Sequence, residues 1–184
     1  MELKKGCAYY IDDAFFVDAG DPSLMQNKGA NKRPLYYCLQ DDSTGLLLMV
    51  PMSTQIEKYA ALYEQKTDRY GRCLTIVLDV FDRKPNAFLL QNVVPLLEKY
   101  VVDVHSRQGI PVPLHGRARD LIESNMREIL QLRKAKVPIV FTDIDRITER
   151  MLAIKERDTA HREVATDREG VYRGDRRKRH NDDR

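Results

Sequence analysis

Two short apolar runs that lie close together constrain this fold most: Leu35-Tyr36-Tyr37-Cys38-Leu39 and Leu46-Leu47-Leu48-Met49-Val50. Both are short and bounded by turn formers, the pattern of buried strands rather than helices. The segment between them, Gln40-Asp41-Asp42-Ser43-Thr44-Gly45, predicts a hairpin connection between strands at 34–39 and 46–51, with Gly45 available for positive φ. After Ser53 the period changes. Ile56, Tyr59, Ala60 and Tyr63 fall at i, i+3, i+4 and i+7, a single apolar stripe on a short helix. Ser53 or Thr54 is its natural N-cap, and Thr54-Gln55-Ile56-Glu57 fits a capping box.

The flanking chain adds strands and helices in an α+β order. Residues 5–11 are rich in Tyr and predict a first strand, which Asp12-Asp13 breaks. Residues 18–32 contain Gly20, Pro22 and Gly29 and read as a loop of the length that often carries function. Its basic end, Lys28, Asn31, Lys32 and Arg33, feeds the next strand. Further strands are expected at 73–81, 87–91 and 100–104. Residues 116–134 predict a helix with Leu121, Ile122, Met126, Ile129 and Leu130 on one face. A second helix is expected at 143–154, capped by Thr142-Asp143, with Ile144, Ile147, Met151 and Leu152 inward.

Past residue 155 the apolar pattern ends. From Lys155 through Arg184 the chain carries ten Lys or Arg against eight Asp or Glu, so this segment holds two of the three net positive charges. Such a segment buries too little surface to offset its ordering entropy, and it predicts a frayed helix passing into disorder. The expected organisation is one domain over 1–155 and a mixed-charge tail over 156–184. The domain itself is nearly neutral, so anion binding there must come from a local patch.

Composition narrows the classes further. An apolar fraction of 42% suits a folded core. No apolar run approaches the roughly 20 residues of a membrane span, and the first residues lack a signal peptide's apolar stretch, so the expected address is the cytoplasm. Cys7, Cys38 and Cys73 form no CxxC pair, and Cys38 reads as a small core residue. Asp12-Asp13, Asp41-Asp42 and Asp143/Asp145 match no EF-hand or two-metal pattern, and the glycines form no nucleotide fingerprint. No metal or cofactor is expected.

Two strings carry the chemistry. Arg33-Pro34 opens the first apolar run, and Ser53-Thr54-Gln55-Ile56-Glu57-Lys58 follows the second. An arginine opening a strand is ordinarily a solvated surface residue, and Ser or Thr at a strand-to-helix junction is ordinarily a cap. Here the Arg follows a basic loop, and Pro34 fixes the backbone just after it. If the runs are neighbouring strands, an always-charged guanidinium and a hydroxyl share one sheet edge, which suits a phosphodiester. The junction's free N–H groups suit a phosphate as well. Lys58 lies one turn into the helix, whereas Tyr59 falls on its apolar stripe. Gln91-Asn92 leaves a buried strand, where amides either satisfy a turn or read base edges. His105 and His115 flank a Gly- and Pro-containing stretch; acid–base work by two histidines would need both in one cleft, nothing in the spacing demands that, and they read as surface loop histidines.

The order of these strings resembles a known family. Lys5-Gly6-x-x-Tyr9-Tyr10, then Arg33-Pro34, then Pro51-Met52-Ser53-Thr54-Gln55-Ile56-Glu57-Lys58 is similar to the MazF/Kid (PemK) ribonuclease toxins. Asp21-Pro22-x-Leu24-Met25-x-Asn27-Lys28, Glu57-Lys58-Tyr59 and Gln91-Asn92-x-x-Pro95-x-x-Glu98-Lys99-Tyr100 resemble the CptN/TenpN/ToxN branch. The likeness covers residues 4–100, and the helices after 116 suit that longer branch. It implies a small, strongly twisted antiparallel SH3-like barrel with added helices. It also implies metal-independent cleavage of single-stranded RNA, in which a 2′-OH attacks the adjacent phosphate and leaves a 2′,3′-cyclic phosphate.

Carried over by position, Arg33, Ser53 and Thr54 are the expected catalytic residues. Lys28, Lys32, Lys58, Gln91 and Asn92 are the expected RNA contacts. The implied partners are substrate RNA and an antitoxin, either a repetitive RNA that closes a toxin–RNA assembly or a small acidic protein. A non-catalytic nucleic-acid-binding regulator on the same barrel is the alternative. The absence of a helix-turn-helix and the nearly neutral domain weigh against it.

Overall fold

The computed structural model describes residues 2–27 and 32–178, with side chains through 161. The chain runs β1 (Ala8–Ile11), α1 (Asp13–Ala19), β2 (Pro34–Gln40), β3 (Leu47–Ser53), α2 (Ile56–Tyr70), β4 (Ile76–Phe81) and β5 (Lys84–Leu89). It continues through β6 (Val94–Leu96), β7 (Val101–Val104), β8 (Ser106–Arg107), β9 (Ile110–Pro111), α3 (Arg117–Lys134) and α4 (Ile144–Lys178). Seven strands form one sheet in the order β4-β5-β3-β2-β1-β7, with β6 also on β3, and β8 and β9 form a separate hairpin. The pairings in the sheet are antiparallel. β4 and β7 stand at opposite edges, so the sheet is not closed on itself.

β3 organises this sheet. One side of it carries β2. The other is shared: Met52 and Ser53 face Phe88 and Ala87 of β5, whereas Met49 faces Val94 of β6. Three residues of β3 thus span six of the neighbouring chain, and the excess is a single 3₁₀ turn, Leu90–Asn92. Leu90 and Val93 are fully buried there, so the looped-out chain is anchored by its apolar side chains. The expected strand over 87–91 therefore ends at Leu89.

One face of the sheet buries Tyr36, Cys38, Val50 and Phe88 against Ala118, Ile122, Met126 and Ile129 of α3 and Ile144 of α4. These α3 positions follow the 3.6-residue repeat, so the helix is held by its apolar stripe. Each buried Ile or Met among them contributes about 1.5–3 kcal/mol by leaving water. A smaller cluster joins Tyr59, Cys73, Ile76, Ala87 and Leu89, with Ile56, Leu62 and Tyr63 of α2 packed against it. Cys38 is a core residue, and burial pushes its thiol up to about 12.

Several elements differ from the sequence expectation. Asp12 does end β1, but it also starts α1: its Oδ1 accepts from the Ala14 N–H at 2.8 Å. Phe15 and Ala19 bury one side of that helix, which is too short for a recognisable stripe. Gly20 then closes it at φ +59, donating its N–H to the Phe16 carbonyl. The capping box expected for α2 does not form. Gln55 is the N-cap and makes no side-chain cap, while Ser53 Oγ accepts from the Gln55 N–H at 3.2 Å in the turn before the helix. The Gly- and Pro-containing stretch near residue 108 folds as the β8–β9 hairpin, turned by Gln108 and Gly109 at φ +52 and +77.

Asp143 caps α4 as expected, its Oδ1 accepting from the Arg146 N–H at 3.1 Å. By contact pattern the chain divides into units Met1–Met151 and Leu152–Arg184. The described backbone of the second is helical through Lys178. Among the described residues no helix is long and apolar enough to cross a membrane.

Candidate functional site

The β2–β3 register sets the first two groups of the site. Leu35 faces Pro51, so carrying the antiparallel pairing two residues further brings Arg33 opposite Ser53. Arg33 precedes β2 and is half-buried. Its backbone N–H donates to Asn27 Oδ1 at 2.8 Å, while Asn27 Nδ2 donates to Asp13 Oδ1 at 2.7 Å. Asn27 thereby fastens the preceding loop to α1 and holds the start of β2. Ser53 ends β3, half-buried, and Thr54 is exposed beside it.

Arg33, Ser53 and Thr54 line one open cleft of about 430 Å³. Lys32 and Lys84 join them, so three fixed cations look into the space. The carboxylate among the lining residues is Asp82. It sits in the two-residue β4–β5 turn, in which Asp82 and Arg83 both take left-handed backbone at φ +49 and +64. This is the conformation of a type I′ hairpin, for which Asp suits the first position and Gly is the ordinary second. Asn86 steadies the turn by donating Nδ2 to the carbonyls of Phe81 and Lys84.

Asp82 is tied to two basic groups. His105 Nε2 lies 2.9 Å from Asp82 Oδ2, and Arg107 Nη2 lies 2.6 Å from Oδ1. The His105 hydrogen bond, with the Arg107 charge behind it, holds the Asp82 carboxyl below the usual carboxylate range. The other ring nitrogen, Nδ1, is 3.0 Å from the Tyr10 hydroxyl. Burial, together with the negative charges of Asp103 and Asp82, pushes the Tyr10 phenol up. His105 also lines the cleft, with its side chain 20% exposed.

The remaining expected RNA contacts lie elsewhere. Lys58 is exposed, with its ammonium over the Tyr59 ring, 5.5 Å from the centroid, and it does not line the cleft. Gln91 is buried at 4% exposure. Its Oε1 accepts from Lys66 Nζ at 2.6 Å, and Lys66 also donates to Thr75 Oγ1 at 2.6 Å. The Gln91 carbonyl takes the Phe141 N–H. Its amide therefore works as an internal tie, the turn-satisfying role that buried amides ordinarily have. Asn92 closes the same 3₁₀ turn, outside the cleft. Lys28 lies outside the described residues.

Sequence reasoning passed over Asp82 and Lys84 and read His105 as a surface loop histidine, whereas its side chain is only 20% exposed at the cleft wall. His105 stands directly after the expected strand 100–104, and its backbone N–H donates to the Ala8 carbonyl, extending the β1–β7 pairing. That position was a usable signal, because a residue just past a strand end is where sheets present functional side chains. Asp82 gave none, since a charged residue in a hairpin turn is commonplace. Among the described residues, no group of three or more His, Cys, Asp and Glu is placed to hold a metal ion. In comparisons with known proteins the chain matches no family model and no curated protein.

Proposed function

We propose that this chain is an endoribonuclease of the MazF/Kid (PemK) kind, of the CptN/TenpN/ToxN branch, acting on single-stranded RNA. The observation that carries this reading is the convergence of Arg33, Ser53 and Thr54 on one open cleft that also takes in Lys32 and Lys84. A phosphodiester in that cleft meets a guanidinium that stays charged at any working pH. As the 2′-oxygen attacks phosphorus, charge grows on the non-bridging oxygens, and Arg33 stabilises it. The Ser53 and Thr54 hydroxyls donate to phosphate oxygens and orient the scissile group. Lys32 and Lys84 draw in the flanking backbone without reading its sequence. The products are a 2′,3′-cyclic phosphate and a 5′-OH, and the reaction balances without a metal or cofactor.

In this reading the sheet is the family's SH3-like barrel, opened between β4 and β7. The cellular role is that of a toxin held in check by an antitoxin, a repetitive RNA in the first instance and a small acidic protein otherwise. The test is induced expression of the unaltered protein beside Arg33→Ala and Ser53→Ala/Thr54→Ala, with RNA ends mapped in parallel. Growth arrest and new cyclic-phosphate ends from the unaltered protein alone are expected. Intact RNA with the unaltered protein, or equal cleavage by all three, overturns the proposal.

A further inference from the structure

The cleft needs a group that changes protonation, and Arg33, Ser53 and Thr54 do not supply one. Arginine does not deprotonate in proteins, and an unassisted Ser or Thr hydroxyl does not act as an acid near neutrality. Departure of a ribose 5′-oxygen is the step that most requires a proton, because an alkoxide is a poor leaving group. Resting on the ribonuclease reading, we propose that His105 is the general acid that protonates the departing 5′-oxygen, and that Asp82 and Tyr10 are its positioning residues.

The geometry distinguishes the two ring nitrogens. Asp82 and His105 both line the cleft and Tyr10 does not, so the Nε2–Asp82 contact lies at the cleft wall and the Nδ1–Tyr10 contact lies behind it. Asp82 is an ionised carboxylate with no proton to give, so the 2.9 Å contact to Nε2 requires an N–H on that nitrogen. At Nδ1 the Tyr10 hydroxyl serves both protonation states. It accepts from imidazolium, and with its phenol held protonated it donates to the neutral ring. Arg107 grips Asp82 through Oδ1 and also donates to the Asp82 carbonyl at 3.3 Å, so the carboxylate keeps a partner when Oδ2 gives up the Nε2–H. The Phe81 ring, 5.4 Å from the imidazole by centroid, packs against it from β4.

The 2′-OH loses its proton to water in the open cleft, and its oxygen bonds to phosphorus. The departing 5′-oxygen displaces Asp82 Oδ2 from the Nε2–H, the P–O5′ bond breaks, and its electron pair takes that proton. Neutral His105 then takes a proton back from water. The charged groups around the imidazole are Asp82 and Arg107 at its Nε2 edge, Asp103 beside Tyr10, and Lys32, Arg33 and Lys84 in the cleft.

The test uses the full chain and two RNAs cut at the same mapped site, one with an ordinary 5′-oxygen and one with a bridging 5′-sulfur, which leaves without protonation. His105→Gln keeps an amide N–H near Nε2 and so preserves the Asp82 contact; its thermal melt reports on the fold. Expected is a loss of about 10²–10⁴-fold on the oxygen substrate. The sulfur substrate should be cut at close to the unaltered rate, and the alkaline limb of the pH profile should vanish. Asp82→Asn should shift that limb rather than remove it. Equal loss on both substrates, or no loss on either, overturns the assignment of His105 while leaving the ribonuclease reading in place. If the unaltered protein cuts neither RNA, that reading falls and the acid falls with it.

Discussion

Two polar clusters flank β5, and they use the same kinds of side chain to opposite ends. At the Ser53 end, Lys32, Arg33, Lys84, Ser53 and Thr54 face an open cleft. At the Gln91 end, Lys66, Thr75 and Gln91 are drawn together, with Lys66 bonded to both partners at 2.6 Å. Burial pushes the Lys66 ammonium down, whereas no carboxylate shares its hydrogen bonds. The difference lies in what already occupies the donors. A half-buried lysine whose hydrogen bonds are internal fastens α2 to the residue before β4 and to the 3₁₀ turn, and it has little left for a ligand. A cation at the rim of a cleft has its donors in water and exchanges them readily for a phosphate.

Substitutions that treat the two clusters alike should break them differently. Arg33→Ala should cost about 10²–10³-fold in RNA cleavage, the usual effect of removing one transition-state donor, while its melting curve stays unchanged. Gln91→Ala should do the reverse. Stripping the acceptor from a half-buried ammonium should lower stability by about 1–3 kcal/mol in a denaturant titration, with cleavage per folded molecule intact. Should Gln91→Ala instead lose activity without losing stability, the amide is an RNA contact after all.

Two carboxylates, Asp21 and Asp82, differ in what holds them ionised. Burial opposes ionisation of Asp21, but hydrogen bonds from Ser23 and from the Asp143 N–H, with the Arg146 charge, hold it below the usual range. Asp82 is held down chiefly by His105. A carboxyl depressed in the folded state stabilises at pH above the ordinary value of about 3.9, and that stabilisation is lost as pH falls through the folded value. Asp21→Asn should therefore flatten the acid limb of a stability-against-pH curve. Asp82→Asn should flatten it much less, because its pair is solvent-screened. Equal flattening by both would mean the cleft pair is more enclosed than its geometry suggests.

The smallest effect concerns the β4–β5 turn. Arg83 holds a left-handed backbone at φ +64, which favours glycine. Arg83→Gly should raise stability by about 1 kcal/mol, read as a shift in denaturation midpoint. A gain in stability without loss of cleavage would separate the turn's shape from the cleft's chemistry.

How far the site was legible from the sequence depends on the range of the contact involved. Arg33 and Ser53 sit at the ends of two runs joined by a short connection, so an antiparallel hairpin alone brings them opposite each other. Gln91 looked equivalent, as a polar residue leaving a strand. Its burial came from packing with α2 and the chain near Phe141, far away in sequence. His105 and Asp82 are 23 residues apart and follow the two edge strands, β7 and β4, so they meet only because the open sheet curls enough to bring those strand ends together. Helix α1 was missed because seven residues with two inward side chains carry too little periodicity to register.

Local chemistry in the sequence determined the hairpin, the helical stripes of α2 and α3, the Asp143 cap and the pairing of guanidinium with hydroxyl. Each depends on a side-chain period or a bond spanning a few residues, which any window of the chain displays. The tertiary structure alone decided that β3 divides its pairing between β5 and β6, that Lys66 and Gln91 close on each other, and that Tyr10, Asp82 and His105 form one chain of hydrogen bonds. Those outcomes turn on which distant surfaces exclude water together. Burial of that kind belongs to the packed whole and has no period along the chain.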